Sequence, residues 1–266
     1  MNDDEKDYLW LNVKELPFFR GLLRSVEARA YMTIDIEPPV LDLGCGDGHF
    51  VTTAFEKKID VGIDPWKNPI KEAIKYNGYK SLICGSGYQL PFSDGSFRSC
   101  ISNSVLEHID GVDNVLKEIS RVLKKGSLFV FCVPNHNFLK NLSISNCFDK
   151  IGLSTLADLY RNFFNQISRH KHSDSPDIWI KRINSAGFEI ERYWHYFSPQ
   201  ALHVLEWGHY FGLPSYMSKK IFNRWIIAPY KWNFIPVLNT LKKYYNEDPQ
   251  NDMGTYSFYV VKKSVN

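Results

Sequence analysis

Three glycines at alternate positions, Gly44, Gly46 and Gly48, follow the short apolar run Val40-Leu41-Asp42-Leu43. Such a run entering glycines reads as a buried strand turning into a helix, and a backbone without Cβ atoms can bend sharply and approach a ligand closely. Two carboxylates bracket the turn. Asp42 stands two residues before the first glycine, and Asp64 closes the next apolar run, Val61-Gly62-Ile63, 22 residues after Asp42. A carboxylate there can accept both hydroxyls of a ribose, so the pattern points to a nucleoside at the C-terminal edge of a parallel sheet. The dinucleotide fingerprint, G-x-G-x-x-G, leaves amides facing a pyrophosphate. Here the spacing is G-x-G-x-G. Asp42 beside it would repel a pyrophosphate and suits a ligand with an ammonium and no phosphate. A dinucleotide oxidoreductase is therefore the most distant of the readings weighed.

S-adenosylmethionine has that ammonium, a sulfonium and no phosphate. Three motifs in order carry a resemblance to it as cofactor: Val40 to Gly48, Val61 to Asp64, and Leu90-Pro91-Phe92-Ser93-Asp94-Gly95-Ser96-Phe97 leading to Ser104-Val105-Leu106-Glu107-His108. The chain resembles the class I S-adenosylmethionine-dependent methyltransferases, in the type 11 group that takes in the ubiquinone and menaquinone methyltransferases. The resemblance covers about residues 38–135, with echoes in Ser185-Ala186-Gly187-Phe188 and the last strand. It implies that Asp42, Gly44, Cys45 and Gly46 hold the methionyl end and that Asp64 binds the ribose. It further implies that Pro65 and Trp66 flank the adenine and that Asn103 lies beside the sulfonium. The family often has an acid near the adenine amino group, where this chain has Gly85-Ser86-Gly87; Ser86 and Gly87 take that place with a weaker hydrogen bond. Arg98 stands where an acid is common, which reads as surface variation.

The elements that must position these residues alternate. Strands are expected at 40–43, 61–63, 81–84, 99–102 and 128–133, with helices near 50–57, 69–77 and 112–124 between them, which makes a parallel sheet covered on both faces. One helix is expected over 8–31, ended by Pro38-Pro39, with Phe18, Leu22, Val26 and Ala30 on its apolar face and Arg20, Arg24 and Glu27 between. A helix at 177–186 and strands opening at 188 and over 256–261 complete the pattern. The resemblance completes the expectation: a Rossmann-like α/β sheet of seven strands, the last antiparallel, with helical insertions forming a lid. Residues 1–37 are expected to form a helical cap and 38–266 the methyltransferase domain, with insertions at about 136–175 (irregular, partly helical) and 198–245. The cap and the second insertion are expected to pack together.

Methyl transfer is an in-line displacement on an activated donor, so positioning supplies much of the rate, and a base is needed only where the acceptor must lose a proton. Residues just after strands four and five are the natural candidates: Asn103, Ser104, Glu107, His108, Asn135 and His136. His136 and His108 are the candidate bases, each with a structural role as its alternative. Six of the eight histidines follow residue 135, and some of His195, His203 and His209 are expected to line the acceptor pocket. His170-Lys171-His172 reads as a solvated loop rather than a metal site, and no metal is expected. Cys45 fits the glycine loop by its size, and Cys84, Cys100 and Cys132 read as core.

Composition bounds the rest. Of 266 residues, 44% are hydrophobic and 23% charged, as in ordinary globular chains. The apolar run Leu128–Val133 is too short to span a bilayer. Met1-Asn2-Asp3-Asp4-Glu5 is acidic and unlike a secretory signal. Five cysteines without a CxxC pair suggest reduced thiols in a soluble, cytoplasmic protein. A net charge of +3 is too small to argue for nucleic acid. Residues 197–245, however, carry six basic side chains against one acidic, and Tyr193–Tyr245 holds fifteen aromatics. That segment reads as a cap with its own core, as a lid over the acceptor, or as a patch resting on a membrane surface. The expected activity is transfer of a methyl group to a small or medium, partly apolar acceptor, oxygen slightly favoured. The alternative is a non-catalytic module that binds the cofactor or its product.

Overall fold

The computed structural model describes residues 6–265. The acidic segment Met1–Glu5 lies outside the described residues. The chain opens with α1 (Tyr8–Val13) and α2 (Phe18–Tyr31). The single helix expected over 8–31 is thus two. Pro17 has no N–H to continue α1 and its ring disfavours a helical Leu16, so the chain breaks there and restarts with Pro17 as the N-cap of α2. α2 stops at Tyr31, well before the two prolines.

The alternation follows: β1 (Val40–Leu43), α3 (His49–Ala54), β2 (Ile59–Asp64), α4 (Lys67–Tyr76), β3 (Tyr79–Cys84), β4 (Phe97–Asn103), α5 (Val112–Val122) and β5 (Leu123–Pro134). Next come α6 (Ser143–Lys150), α7 (Ser154–Ser168), α8 (Pro176–Ser185), β6 (Phe188–Tyr196), α9 (Pro199–Phe211), α10 (Leu213–Phe222), α11 (Ile235–Tyr245) and β7 (Tyr256–Lys263). The strands form one sheet in the order β3-β2-β1-β4-β5-β7-β6. β1 to β5 run parallel, and β7 enters antiparallel between β5 and β6. This is the seven-stranded Rossmann-like sheet expected. The segment after β5 is more regular than expected: α6 and α7 fill most of it. β6 is also longer than its apolar opening suggested, because Glu189, Glu191 and Arg192 belong to an edge strand with one wet face. Cys84, expected in the core, is exposed, since it ends the other edge strand, β3.

Period-two alternation along β5 divides the core. Phe129, Phe131 and Val133 point into a cluster with Trp179 of α8 and Leu116 of α5. Val130 and Cys132 point into one with Leu22 of α2, Leu202 of α9 and Leu238 of α11. On the first face Phe129, Phe131, Tyr259 and Tyr193 stack in a ladder across β5, β7 and β6, with centroids 4.9, 4.9 and 5.7 Å apart. α2 packs against α9 and α11, so the N-terminal helices and the second insertion do form one layer. The Leu90–Phe97 motif has a structural role: the Arg121 guanidinium donates to the Leu90 and Phe92 carbonyls at 3.0 and 2.8 Å and to Asp94 at 2.8 Å, which fixes the entry into β4.

Candidate functional site

The glycine loop turns as its sequence demands. Gly44, Gly46 and Gly48 have φ of +77°, +54° and +79°. A Cβ on Gly44 would stand 2.4 Å from Val105 Cγ1, so the residue after β1 and the turn after β4 approach more closely than any side chain allows. A Cβ on Gly46 would meet nothing within 4 Å, because it faces open space. That space is a cavity of about 410 Å³ bounded by Asp42, Gly44, Cys45, Gly46, Asn103 and Ser104, with Arg20 and Trp225 on the far side.

A second cavity, about 470 Å³, continues past Gly44, Ser104 and Val105. Its walls are Asp64, Pro65, Trp66, Ser86, Gly87 and Tyr88. A third, about 460 Å³, lies under the lid, between Phe19, Glu107, His108, Phe138, His170 and Tyr256. It shares Arg20, Arg24 and Trp225 with the first cavity and His108 with the second. Ser104 lines all three. Every residue expected at the cofactor therefore borders one of two adjoining cavities.

Asp42 is buried and accepts a hydrogen bond from the Tyr79 hydroxyl at 2.6 Å. Burial, with the Asp64 charge nearby, pushes its carboxyl up to about 7 despite that bond. No ion pair to it forms among the described residues. Asp64 is also buried, and burial raises its carboxyl; it accepts from the Gly46 and Trp66 amides at 3.1 and 2.9 Å and so ties the loop to β2. Burial holds the Cys45 thiol far above its ordinary value, which rules out a reactive thiolate.

The rim after β4 depends on a residue that sequence reasoning left on a polar face. Glu27 of α2 is fully buried. Its carboxylate accepts from Arg24 at 2.5 Å, Asn103 Nδ2 at 2.7 Å, Ser104 Oγ at 3.1 Å and the Tyr196 hydroxyl at 3.1 Å. It thereby gathers the ends of β4 and β6 onto α2. Burial works against the Arg24 charge, yet Glu27 more than offsets it and raises that guanidinium. Arg20, one turn earlier, forms no ion pair among the described residues; it lies 5.7 Å from the Trp225 ring and is exposed to solvent, though desolvation by the protein around it, with the Arg24 charge, lowers its guanidinium. The signal was present: Arg20, Arg24 and Glu27 are spaced four and three apart, a second stripe on α2.

The two candidate bases part company. His108 borders the second and third cavities, with Nδ1 2.9 Å from the Arg169 carbonyl. A proton on Nδ1 leaves the Nε2 lone pair free. Its side chain is 42% exposed, and desolvation by the protein around it lowers the imidazole. Glu107 Oε1 lies 3.8 Å from Nε2, and burial pushes the Glu107 carboxyl up to about 8, with Oε2 lacking any hydrogen bond. His136 borders none of the three cavities. Asn135 directs the chain elsewhere: its N–H donates to the Thr255 carbonyl at 3.0 Å and its amide to Gly254 O and Ser257 Oγ, both at 3.0 Å. The His136 ring therefore stands 6.2 Å from His195 on β6. His195 and His203 are likewise outside the third cavity, whereas His209 lines it. His170 is no solvated loop residue; burial pushes it down to about 3, and it faces His108 at 5.5 Å.

Residues 41–131 match the sequence pattern of a family described as a methyltransferase domain. An uncharacterised methyltransferase of Mycobacterium tuberculosis is 31% identical over 123 residues, which is 42% of this chain and 48% of the relative. The chain spans about half the length, or less, of the curated relatives it matches. Among solved structures, a Thermotoga maritima S-adenosylmethionine-dependent methyltransferase, named a possible histamine N-methyltransferase, superposes with a TM-score of 0.56 at 16% identity. That match covers 92% of this chain and 91% of the other. The geranyl diphosphate C-methyltransferase of Streptomyces coelicolor, solved with S-adenosyl-L-homocysteine, Mg2+ and geranyl diphosphate, gives 0.54 at 14% identity, covering 92% and 82%. These two likenesses are of fold. The family pattern marks residues 41–131 as a methyltransferase domain, and the sheet around it is folded as in these S-adenosylmethionine-dependent enzymes.

Proposed function

We propose that the protein transfers a methyl group from S-adenosylmethionine to a small or medium, partly apolar acceptor held in the third cavity. The observation that carries this reading is the position of Ser104, on the wall of all three cavities. The two cofactor compartments and the acceptor compartment converge there.

The residues fit the cofactor. Asp42 is a buried carboxyl raised to about 7 with no cation beside it among the described residues, and an ammonium supplies the missing charge. Gly46 offers bare backbone to open space. Arg20 is a guanidinium without a carboxylate partner among the described residues, suited to the methionyl carboxylate. Asp64 keeps lone pairs free for the ribose hydroxyls, and Pro65, Trp66, Ser86 and Gly87 line the adenine end. Asn103 borders the methionyl compartment beside Ser104. When bound, S-adenosylmethionine supplies a methyl group already activated on a sulfonium.

The acceptor compartment is apolar on Phe19, Leu23, Phe138 and Leu205 and polar where it meets the cofactor, at Ser104, Glu107 and His108. An acceptor hydroxyl facing that polar end can pass its proton to His108 Nε2 as its oxygen takes the methyl group. Arg169 holds the imidazole through Nδ1 while this happens. Oxygen is the acceptor atom this arrangement suits, since a base is within reach. His136 has no part in it.

The test is incorporation of a labelled methyl group into a panel of phenolic, carboxylic and lipid acceptors, with S-adenosylhomocysteine binding measured by calorimetry. His108→Gln should lower kcat by roughly 10²–10⁴-fold with little change in product-cofactor affinity. Unchanged turnover in that variant would remove the base. Binding of S-adenosylhomocysteine without turnover on any acceptor would favour the binding-module alternative.

A further inference from the structure

Two insertion helices turn apolar stripes outward. On α7, Leu156, Leu159, Phe163 and Ile167 are 45%, 60%, 48% and 40% exposed, at spacings of three, four and four that place them on one face. On α10, Leu213, Tyr216, Met217 and Ile221 are 46–65% exposed on one face as well. Such a face on a surface helix has something to cover it. The stripes meet at one place: Ile167, Leu213 and Tyr216 are both exposed and part of the acceptor cavity's wall, so they form its rim.

That shared rim restricts the occupant. A second copy of the chain seated on the stripes would close the cavity to its acceptor. A lipid surface would cover them and feed the cavity from the same side. Charge and aromatic content agree. Lys220, 4.8 Å from the Tyr216 ring, and Arg224 have no carboxylate partner among the described residues. Tyr230 and Trp232 stack on each other beyond α10, 61% and 70% exposed, as rings at headgroup depth do. No helix among the described residues is long and apolar enough to cross a membrane, so the contact is interfacial.

We infer that the exposed faces of α7 and α10 dock the protein on an anionic lipid surface with the acceptor cavity opening onto the headgroups. This rests on the methyl-transfer reading for the purpose of the cavity, and not for the surface itself.

Sedimentation with phosphatidylcholine vesicles, with and without phosphatidylglycerol, tests it. The wild type should pellet with the mixed vesicles, less so at high salt. Met217→Glu/Ile221→Glu on α10 and Leu159→Glu/Phe163→Glu on α7 should each weaken partitioning roughly tenfold or more. S-adenosylhomocysteine binding should be unchanged in both variants, which shows that they fold. A wild type that stays in the supernatant at low salt while still binding S-adenosylhomocysteine overturns the docking. So does a concentration-dependent dimer, seen by analytical ultracentrifugation, that the same substitutions abolish. Failure to bind S-adenosylhomocysteine would instead sink the methyl-transfer reading and leave the vesicle result standing.

Discussion

Asp42 is a carboxyl that burial has made a weak acid. In the cofactor-free protein it is protonated below about pH 7, with the Tyr79 hydroxyl on one side and the Asp64 carboxyl nearby. An ammonium needs it ionised. Cofactor affinity should therefore rise with pH, by about tenfold per unit at most below pH 7, and flatten above. Binding below pH 7 should release a proton, read by calorimetry in buffers of different ionisation enthalpy. Asp42→Asn should bind more weakly and lose most of the slope. Glu107 makes a parallel case in stability. Its folded value of about 8 lies above the ordinary 4.5, so the native protein keeps a proton that the unfolded chain releases between those limits. The sign follows: this group lowers stability as pH rises from about 4.5 to about 8, by about 1.4 kcal/mol per unit for one proton. Glu107→Gln should flatten that fall, so denaturant midpoints of variant and wild type should differ most near pH 8.

Among the elements, α2 bears the most on the site, and it does so through one carboxylate. Removing Glu27 strands the partly buried Arg24 and frees Asn103, Ser104 and Tyr196 at once. Glu27→Ala should cost about 3–5 kcal/mol in chemical denaturation, and Glu27→Gln less, because an amide retains part of the bonding. The lid is tied in the same fashion. Buried Glu206 of α9 accepts from the Ser143 and Ile144 amides at 2.6 and 3.1 Å and from the Tyr160 hydroxyl at 2.8 Å. One insertion thus caps a helix of the other. Neither role was legible in sequence, where a lone acid between apolar residues reads as a solvated face. The glycine loop was legible because its constraint is local: positive φ and close approach leave no other residue type. His136 misled because position after β5 fixes where a residue starts, while the Asn135 side chain decides where it points.

At the scale of the whole molecule, alternation of apolar runs and helical spacing gave the parallel part of the sheet, since both of its faces must be covered, whereas the antiparallel last strand followed only from the family resemblance. The boundaries that slipped have particular causes. Pro17 divided the first helix. The wet face of β6 hid most of that strand. The insertion after β5 folds into α6 and α7 because it finds partners on α9, distant in sequence: Ser143 bonds Glu206, Tyr160 bonds Tyr210, and Phe164 packs edge-on against His209. The third cavity was equally hidden, for its walls come from α2, the turn after β4, α7 and α9.

The carboxylate knot at Glu27 sets a limit on dissection. A fragment trimmed to residues 41–131, the stretch shared with relatives, would keep the glycine turn and its acids yet lose the peg around which Asn103 and Ser104 are wound. Whatever ancestry that stretch has in common with others, the folded unit that holds Asn103 and Ser104 in place is larger and takes in α2 at the front of the chain.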